Sequence, residues 1–381
     1  MDVNAYITAT GRFLPGEPVP NDEIEDYIGK VGRGSSDLKE LILENCGIKT
    51  RHYAIDKQQN TVYSNARMAA EAVRAAAARA GLGPGDVELL AAATTMPDLM
   101  GPGHASMVHG ELGYAPLEII TAHGICSSGM MALKNAYLQV AAGEKRTAIS
   151  VASELASRGF KSSRYAEMTP IAEDGSLPME TAFLRYMLSD GAGAAVVQDR
   201  PRPDGVSLRI DWISLTSYAN TEQACMYFGS KSNDCAKTWN DYPDAASAAA
   251  DGAAFPRQKL ALLPHLVNIG IIEAQRLIDA GKIDLERLDW FPAHYSSERM
   301  KELLIGEMKR ADLHIAQEKW FSNLTRVGNI GSASIYIILD EMLNEGMIKP
   351  GETVVCMVPE SGRFAISFMH LTAVAGDDTH A

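Results

Sequence analysis

The sequence has little of what marks a disulfide-stapled, zinc-bound or membrane protein. Its 381 residues include five cysteines, Cys46, Cys126, Cys225, Cys235 and Cys356. The number is odd and no two are spaced Cys-x-x-Cys. This argues against a disulfide framework and a structural zinc site, so no metal is expected, and it fits a reducing cytoplasm. No stretch of about 18 consecutive apolar residues occurs, so no membrane span is expected. Positive charge is in deficit: 35 Lys and Arg against 48 Asp and Glu give a net charge of −13. That is the reverse of the basic footprint a nucleic-acid binder carries. The opening Met1-Asp2-Val3-Asn4-Ala5 has neither a basic nor an apolar stretch, which argues against a secretory signal. The composition of a disordered chain is also missing. With 46% hydrophobic and 22% charged residues, this is an ordinary globular sequence, long enough for two or three structural units.

What is present is an alternation of helix and strand signals, which predicts an α/β protein. The Ala-rich stretch 63–80 reads as a helix stopped by Gly81-Leu82-Gly83-Pro84-Gly85. The short apolar runs 87–95, 119–122 and 147–152 read as buried strands. Helices are expected at 104–112, closed by Gly113, and at 126–142, closed by Gly143. The second half repeats the pattern, with strands at 192–197, 206–215, 288–292, 353–358 and 364–371. Its helices are expected at 259–280, 297–309 and 332–344. The order of elements points to two halves, 1–190 and 191–381, meeting near Asp190-Gly191-Ala192-Gly193. The stretch 219–255 interrupts the alternation and reads as a lid-like or disordered insertion. The end, 373–381, reads as a fraying tail.

Three segments carry chemistry. In Thr121-Ala122-His123-Gly124-Ile125-Cys126-Ser127-Ser128-Gly129 a cysteine stands between a strand and an apolar helix. A helix N-terminus stabilises a thiolate, so the Cys126 pKa is expected to fall; a buried inert thiol is the alternative. In Phe291-Pro292-Ala293-His294-Tyr295-Ser296-Ser297 a histidine follows a strand and precedes a helix. In Arg326-Val327-Gly328-Asn329-Ile330-Gly331-Ser332 an asparagine sits in a glycine-flanked turn, where a simple helix cap is the alternative. His104, His109 and His123 share a region without metal-ligand spacing. Gly191-x-Gly193 precedes a strand rather than a helix, which excludes a dinucleotide fingerprint.

The ordered Cys, His and Asn, with Cys46-Gly47-Ile48-Lys49 and Leu188-Ser189-Asp190-Gly191-Ala192-Gly193-Ala194, resemble the thiolase superfamily. The nearest branch is β-ketoacyl-acyl-carrier-protein synthase III, over almost the whole chain. The resemblance implies a duplicated, five-layered αβαβα fold and an acyltransferase of the 3-oxoacyl synthase type. It makes Cys126 the nucleophile that is acylated, and His294 and Asn329 the holders of the extender's thioester carbonyl during decarboxylation. The backbone N–H groups of Cys126 and Ser361 would form the oxyanion hole, Ser361 standing where relatives have a glycine-rich loop. It further implies a homodimer. No permanently bound cofactor is implied; the substrates would be coenzyme A thioesters or the phosphopantetheine thioesters of an acyl carrier protein.

Departures from the family refine these expectations. Leu41 and Asn45 replace a Trp and an Arg that grip coenzyme A in relatives, which points equally to donors delivered on a carrier and to coenzyme A held by other residues. Gly101, beside Met100, stands where some relatives close the acyl tunnel with an aromatic ring, so a medium or long chain is expected there. His294-Tyr295-Ser296-Ser297 replaces the usual His-x-x-Asn. No glutamate occurs at Thr94-Thr95, which disfavours the hydroxymethylglutaryl-coenzyme A synthase branch, and Cys356 lies too far upstream to be a thiolase's second cysteine. Lys301, Lys309 and Arg310 share a helix suited to an acidic carrier protein. The segment Ser361-Gly362-Arg363-Phe364 is similar to ketosynthases that join two acyl chains, as in dialkylresorcinol pathways. The expected reaction is a decarboxylative Claisen condensation of acyl-Cys126 with a malonyl- or β-ketoacyl-thioester, in lipid-like secondary metabolism. The alternative is O- or N-acyl transfer without a carbon–carbon bond.

Overall fold

The computed structural model describes residues 4–32, 35–165, 168, 175 and 177–376. Eight strands form one mixed sheet: β1 (Tyr6–Phe13), β2 (Leu89–Thr94), β3 (Glu118–His123), β4 (Thr147–Glu154), β5 (Gly191–Gln198), β6 (Val206–Ser217), β7 (Thr353–Glu360) and β8 (Ala365–Ala375). Their spatial order is β7-β8-β6-β1-β5-β4-β2-β3. On one side of the β1–β6 seam, β2 pairs in parallel with β3 and β4, and β4 pairs antiparallel with β5, which pairs antiparallel with β1. The other side repeats this order. Trp290 and Ala293 bridge in parallel to β7, and β7, β8 and β6 continue antiparallel.

The alternation of side chains along the strands builds the layers, because successive residues point to opposite faces. In β2, Leu90 and Ala92 pack outward with helix α2 (Asn65–Arg79). Leu89, Ala91 and Ala93 pack inward with α4 (Ser128–Ala141) and α8 (Ser334–Asn344). In β7, Val354, Cys356 and Val358 join that same inner cluster, whereas Val355 and Met357 turn outward to α6 (Leu263–Asp279). The result is helix, sheet, helix, sheet, helix, the thiolase-like five-layered arrangement. Alanine lets the layers approach closely. A Cβ on Gly11 of β1 would lie 2.4 Å from the Ala72 carbonyl oxygen and the Ala76 nitrogen of α2, so helix and strand touch backbone to backbone.

Three expectations change. Gly191–Gln198 pairs with both β1 and β4, so the first set of strands runs on to Gln198 and does not end at residue 190. The small residues that read as a junction are instead a fully packed strand. The C-terminal strand reaches Ala375 through an eleven-residue ladder with β6, so 373–375 is not a fraying tail; 377–381 lie outside the described residues. The 288–292 strand is reduced to the bridges at Trp290 and Ala293. The sequence reading also passed over β1, α1 (Ser35–Cys46) and α5 (Met179–Met187). Helix α7 (Glu298–Arg310) starts on Ser297, which accepts the Met300 N–H at 3.2 Å. Helix α3 is His104–Leu112. Among the described residues no helix is long and apolar enough to cross a membrane.

Candidate active site

Cys126 lies in the turn between β3 and α4, two residues before the helix begins, and is 8% exposed. The opposite wall is brought to it by backbone packing. A Cβ on Gly129 would lie 2.3 Å from the Ser332 carbonyl oxygen, so the 329–333 turn sits directly on the first turn of α4. Tyr336 reinforces the contact by donating to the Gly129 carbonyl at 2.7 Å. Glycine at 129 is thus what allows Asn329 to share a cavity with Cys126.

Two cavities meet at the sulfur. One, of about 510 Å³, is lined by Cys126, His294 and Ser361 with the apolar Leu263, Leu266, Val267, Met300, Leu304 and Met357. The other, of about 610 Å³, holds Cys126, Asn329, Ser361, Glu154 and Gln258 beside Phe160, Met187 and Met226. Cys126, Ser296 and Ser361 belong to both. The three residues picked out by sequence therefore converge, and Ser361 faces them. Burial pushes the Cys126 thiol well above its ordinary value, with further increments from Glu360 and then Glu154, only partly offset by its own backbone N–H. The expected fall is thus overturned: desolvation and two carboxylates outweigh the helix N-terminus.

His294 continues the bridged segment, and its N–H bonds the Met357 carbonyl at 2.9 Å. Burial lowers its pKa to about 4, so the imidazole is neutral near pH 7. A neutral ring keeps one N–H to donate and one nitrogen to accept. Asn329 follows Gly328, whose φ of +74° suits glycine. Its Oδ1 accepts the Gly331 N–H at 2.8 Å. That bond fixes the amide orientation and leaves Nδ2, 3.6 Å from the Met187 sulfur, as the donor end.

Residues that sequence reasoning passed over complete the site. The Glu154 carboxylate, driven up to about 7 by burial, accepts from the Thr95 N–H and hydroxyl and from the Ser332 N–H and hydroxyl. It thereby ties the two sides of the molecule together. Gln258 accepts from the Ser361 hydroxyl at 3.1 Å and donates to the Cys225 sulfur at 2.9 Å. The 219–255 insertion is anchored here. Met226–Tyr227 pairs with Arg257–Gln258, and the N–H groups of Cys225 and Met226 bond the carbonyls of Gly362 and Ser361. A polar residue ending a buried strand was the available signal for Glu154.

Other expected residues lie elsewhere. Met100 is 84% exposed and Gly101 has open space around it. Neither lines the Cys126 cavities, so within one chain they form no acyl tunnel, because their loop lies against the edge strand β3. Thr121 of that strand accepts the Ala105 N–H at 3.0 Å. His123 is exposed on β3, and Cys356 is buried in the core. Leu41 and Asn45 line an apolar groove of about 1240 Å³ with Phe183, Arg299 and Leu303, and it shares Leu263 and Met300 with the His294 cavity. Ser297 lines this groove and caps α7. Lys301 and Arg310 are paired within their helix to Glu298 and Glu307. Among the described residues no cluster of three or more His, Cys, Asp or Glu could hold a metal.

Comparison with known proteins bears on this geometry. Residues 278–364 match the family model described as 3-oxoacyl-[acyl-carrier-protein] synthase III C terminal. The chain is 27% identical over 353 residues to a β-ketoacyl-[acyl-carrier-protein] synthase III of Bordetella petrii, covering 92% of each. In fold it is similar to the tetronic acid condensing enzyme AbyA1, with TM-score 0.77 and 19% identity over 97% of this chain and 99% of that one. It is also similar to the 3-oxoacyl-[acyl-carrier-protein] synthase III of Aquifex aeolicus, with TM-score 0.71 and 20% identity over the same shares.

Proposed function

We propose that this chain, a synthase III-like condensing enzyme of the thiolase superfamily, carries an acyl group on Cys126 and joins it to a malonyl- or β-ketoacyl-thioester by decarboxylative Claisen condensation. The observation that carries the reading is the placement of Cys126 at the meeting of two cavities, one with His294 and the other with Asn329.

Loading begins with the thiol. The neutral imidazole of His294 accepts its proton, the sulfur attacks the donor thioester, and the departing carrier thiolate takes the proton up. One difficult transfer becomes two easier ones. The oxyanion of this step would be held by the backbone N–H groups of Cys126 and Ser361. In the second step the extender's carboxylate leaves as carbon dioxide and its electron pair moves into the enolate. The His294 N–H and the Asn329 Nδ2 are the two donors for the enolate oxygen, and such preoriented donors act where charge develops. The enolate carbon attacks the acyl-Cys126 carbonyl and the sulfur leaves, to be reprotonated. Simple acyl transfer to an alcohol or amine needs no enolate site, so the His294–Asn329 pair favours condensation.

The groove at Leu41, Asn45 and Arg299 suits the pantetheine arm of an acyl carrier protein or of coenzyme A, because it is apolar and continues to the His294 cavity. The edge strand β3, with Ile119 half exposed and Met131 and Leu138 exposed on α4, suits pairing with a second copy. In such a homodimer the Met100–Gly101 loop beside β3 would face the neighbouring subunit's acyl cavity. Gly101→Phe is then expected to shorten the chains accepted, read from competition among acyl donors. The half-open cavities and mainly apolar walls fit lipid-like secondary metabolites.

Intact-protein mass spectrometry tests the reading. Incubation with acyl-coenzyme A and acyl-carrier-protein donors is expected to add one acyl mass at Cys126. Addition of malonyl carrier protein should then discharge it with release of carbon dioxide. Discharge to an alcohol or amine without carbon dioxide would replace this reading with acyl transfer.

A further inference from the structure

The C-terminal loop contains a charged group that the mechanism above does not use. Pro359 and Ser361 line the cavities at Cys126, and between them Glu360, at the end of β7, reaches the turn that holds the nucleophile. Its Oε2 accepts the N–H of Ile125 at 3.1 Å and of Ser127 at 2.9 Å. These are the residues on either side of Cys126. The carboxylate is 8% exposed and fits a space left by two glycines. A Cβ on Gly362 would lie 3.1 Å from its Oε1, and one on Gly124 would lie 3.5 Å from its Oε2.

We propose that Glu360 is a positioning residue that sets the charge of the nucleophile. It straps the Gly124–Ser127 turn to the C-terminal loop, and its negative charge on the two N–H groups flanking Cys126 keeps the idle sulfur a neutral thiol. N–H groups at the start of a helix ordinarily draw negative charge onto a cysteine there. Here a carboxylate already occupies them, so their field is answered before it reaches the sulfur. The charged or titratable groups facing Cys126 and its cavities are Glu360 from β7, Glu154 from the end of β4, and His294 and Tyr295 from the segment that follows the bridges to β7. Burial raises the pKa of Glu360 above the ordinary carboxylate value, and the Ser127 and Ile125 N–H groups, which favour the ionised form, offset part of that rise.

Two consequences follow for the condensing cycle, and these rest on the function proposed above. The thiol does not attack until His294 takes its proton, which protects it from oxidation between turnovers. Once acylated, the sulfur is a poorer leaving group than a low-pKa cysteine, so the thioester resists water while the second substrate binds.

The test does not depend on the condensation. Alkylation of Cys126 by iodoacetamide is followed from pH 6 to 10 by peptide mass spectrometry in the wild type, Glu360→Gln and Glu360→Asp. Glutamine keeps an acceptor oxygen and removes the charge. Its alkylation midpoint is expected about one pH unit lower, a roughly tenfold gain in thiolate at a pH below both midpoints. Aspartate, with its charge drawn back by one methylene, is expected to fall between. Coincident midpoints in wild type and Glu360→Gln, with unchanged melting curves, would overturn the proposal. If the glutamine variant does not fold, the aspartate profile decides, and coincidence with wild type again overturns it. A lowered midpoint together with no acyl loading in the wild type would sink the condensing function and leave the strap standing.

Discussion

The two sides of the molecule use the same strand order and deliver their candidate site residues by different means. On the nucleophile's side, β2 is paired along both edges and all six of its residues are buried. Beside it, β3 runs into the Cys126 turn and then a fourteen-residue helix. On the other side, the segment corresponding to β2 forms only isolated bridges to β7, at Trp290 and Ala293, with further backbone hydrogen bonds at Asp289, Pro292 and His294. Asn329 lies in an isolated parallel bridge with Leu188, its carbonyl accepting the Ser189 N–H at 2.8 Å. It is held by Gly328 in a left-handed conformation and by the Gly331 N–H on its amide oxygen. Regular ladders therefore place the sulfur, and a few single hydrogen bonds place the donors.

Substitutions can break or sharpen that contrast. The largest effect is expected from Cys126→Ala, which should abolish covalent loading, read as absence of any acyl mass adduct, with the fold intact. Next come His294→Ala and Asn329→Ala. Each should lower condensation about 10²–10³-fold, the loss typical of one oxyanion donor; loading on Cys126 should survive in Asn329→Ala and fall as well in His294→Ala, which lacks the proton acceptor. Steady-state condensation and single-turnover loading measured side by side check this, and equal loss in both assays for Asn329→Ala would erase the division of labour.

Glu154→Gln probes the joint between the two sides. The folded carboxyl titrates at about 7 against an ordinary value of 4.5, so the folded state binds the proton more tightly than the unfolded one. Its contribution is fully present below pH 4.5 and is lost as pH rises through 7. The advantage of wild type over the glutamine variant should shrink between pH 5 and 8, by at most about 3 kcal/mol, as measured by denaturant unfolding. His294 has the opposite sign. Its folded value of about 4 makes it cost stability as pH falls from about 6.5. The smallest effect is expected from Ser297→Ala, which removes the cap of α7 at about 1 kcal/mol, read as a modest fall in melting temperature.

Much of the nucleophile's side was legible in the residues. Ala-rich 63–80 and the apolar runs at 87–95 and 147–152 carry their own periodicity, and their strands and helices lie where that periodicity puts them. The strand Gly191–Gln198 was read correctly as a strand and wrongly as the start of a new half, since nothing in a run of Gly, Ala and Val tells which neighbours it pairs with. The donors' side was less legible. His294 and Asn329 stand out through family resemblance, but the bridged 290–293 segment has too short a ladder to leave a pattern. Glu154 shows only as a polar residue ending a buried strand and Glu360 has no pattern, because their roles consist of hydrogen bonds to residues at sequence separations of 59 and 178, and of 235 and 233.

The sequence by itself determined the alternation of elements, which follows from local periodicity and turn chemistry, while the layering and the choice of Cys126, His294 and Asn329 came from its resemblance to a family. Only the tertiary structure decided that the Cys126 thiol is raised rather than lowered and that Met100 and Gly101 stand apart from its cavities. Only it, too, brings two glutamates to the nucleophile. Burial and the field of distant carboxylates act through space, and no spacing along the chain encodes them.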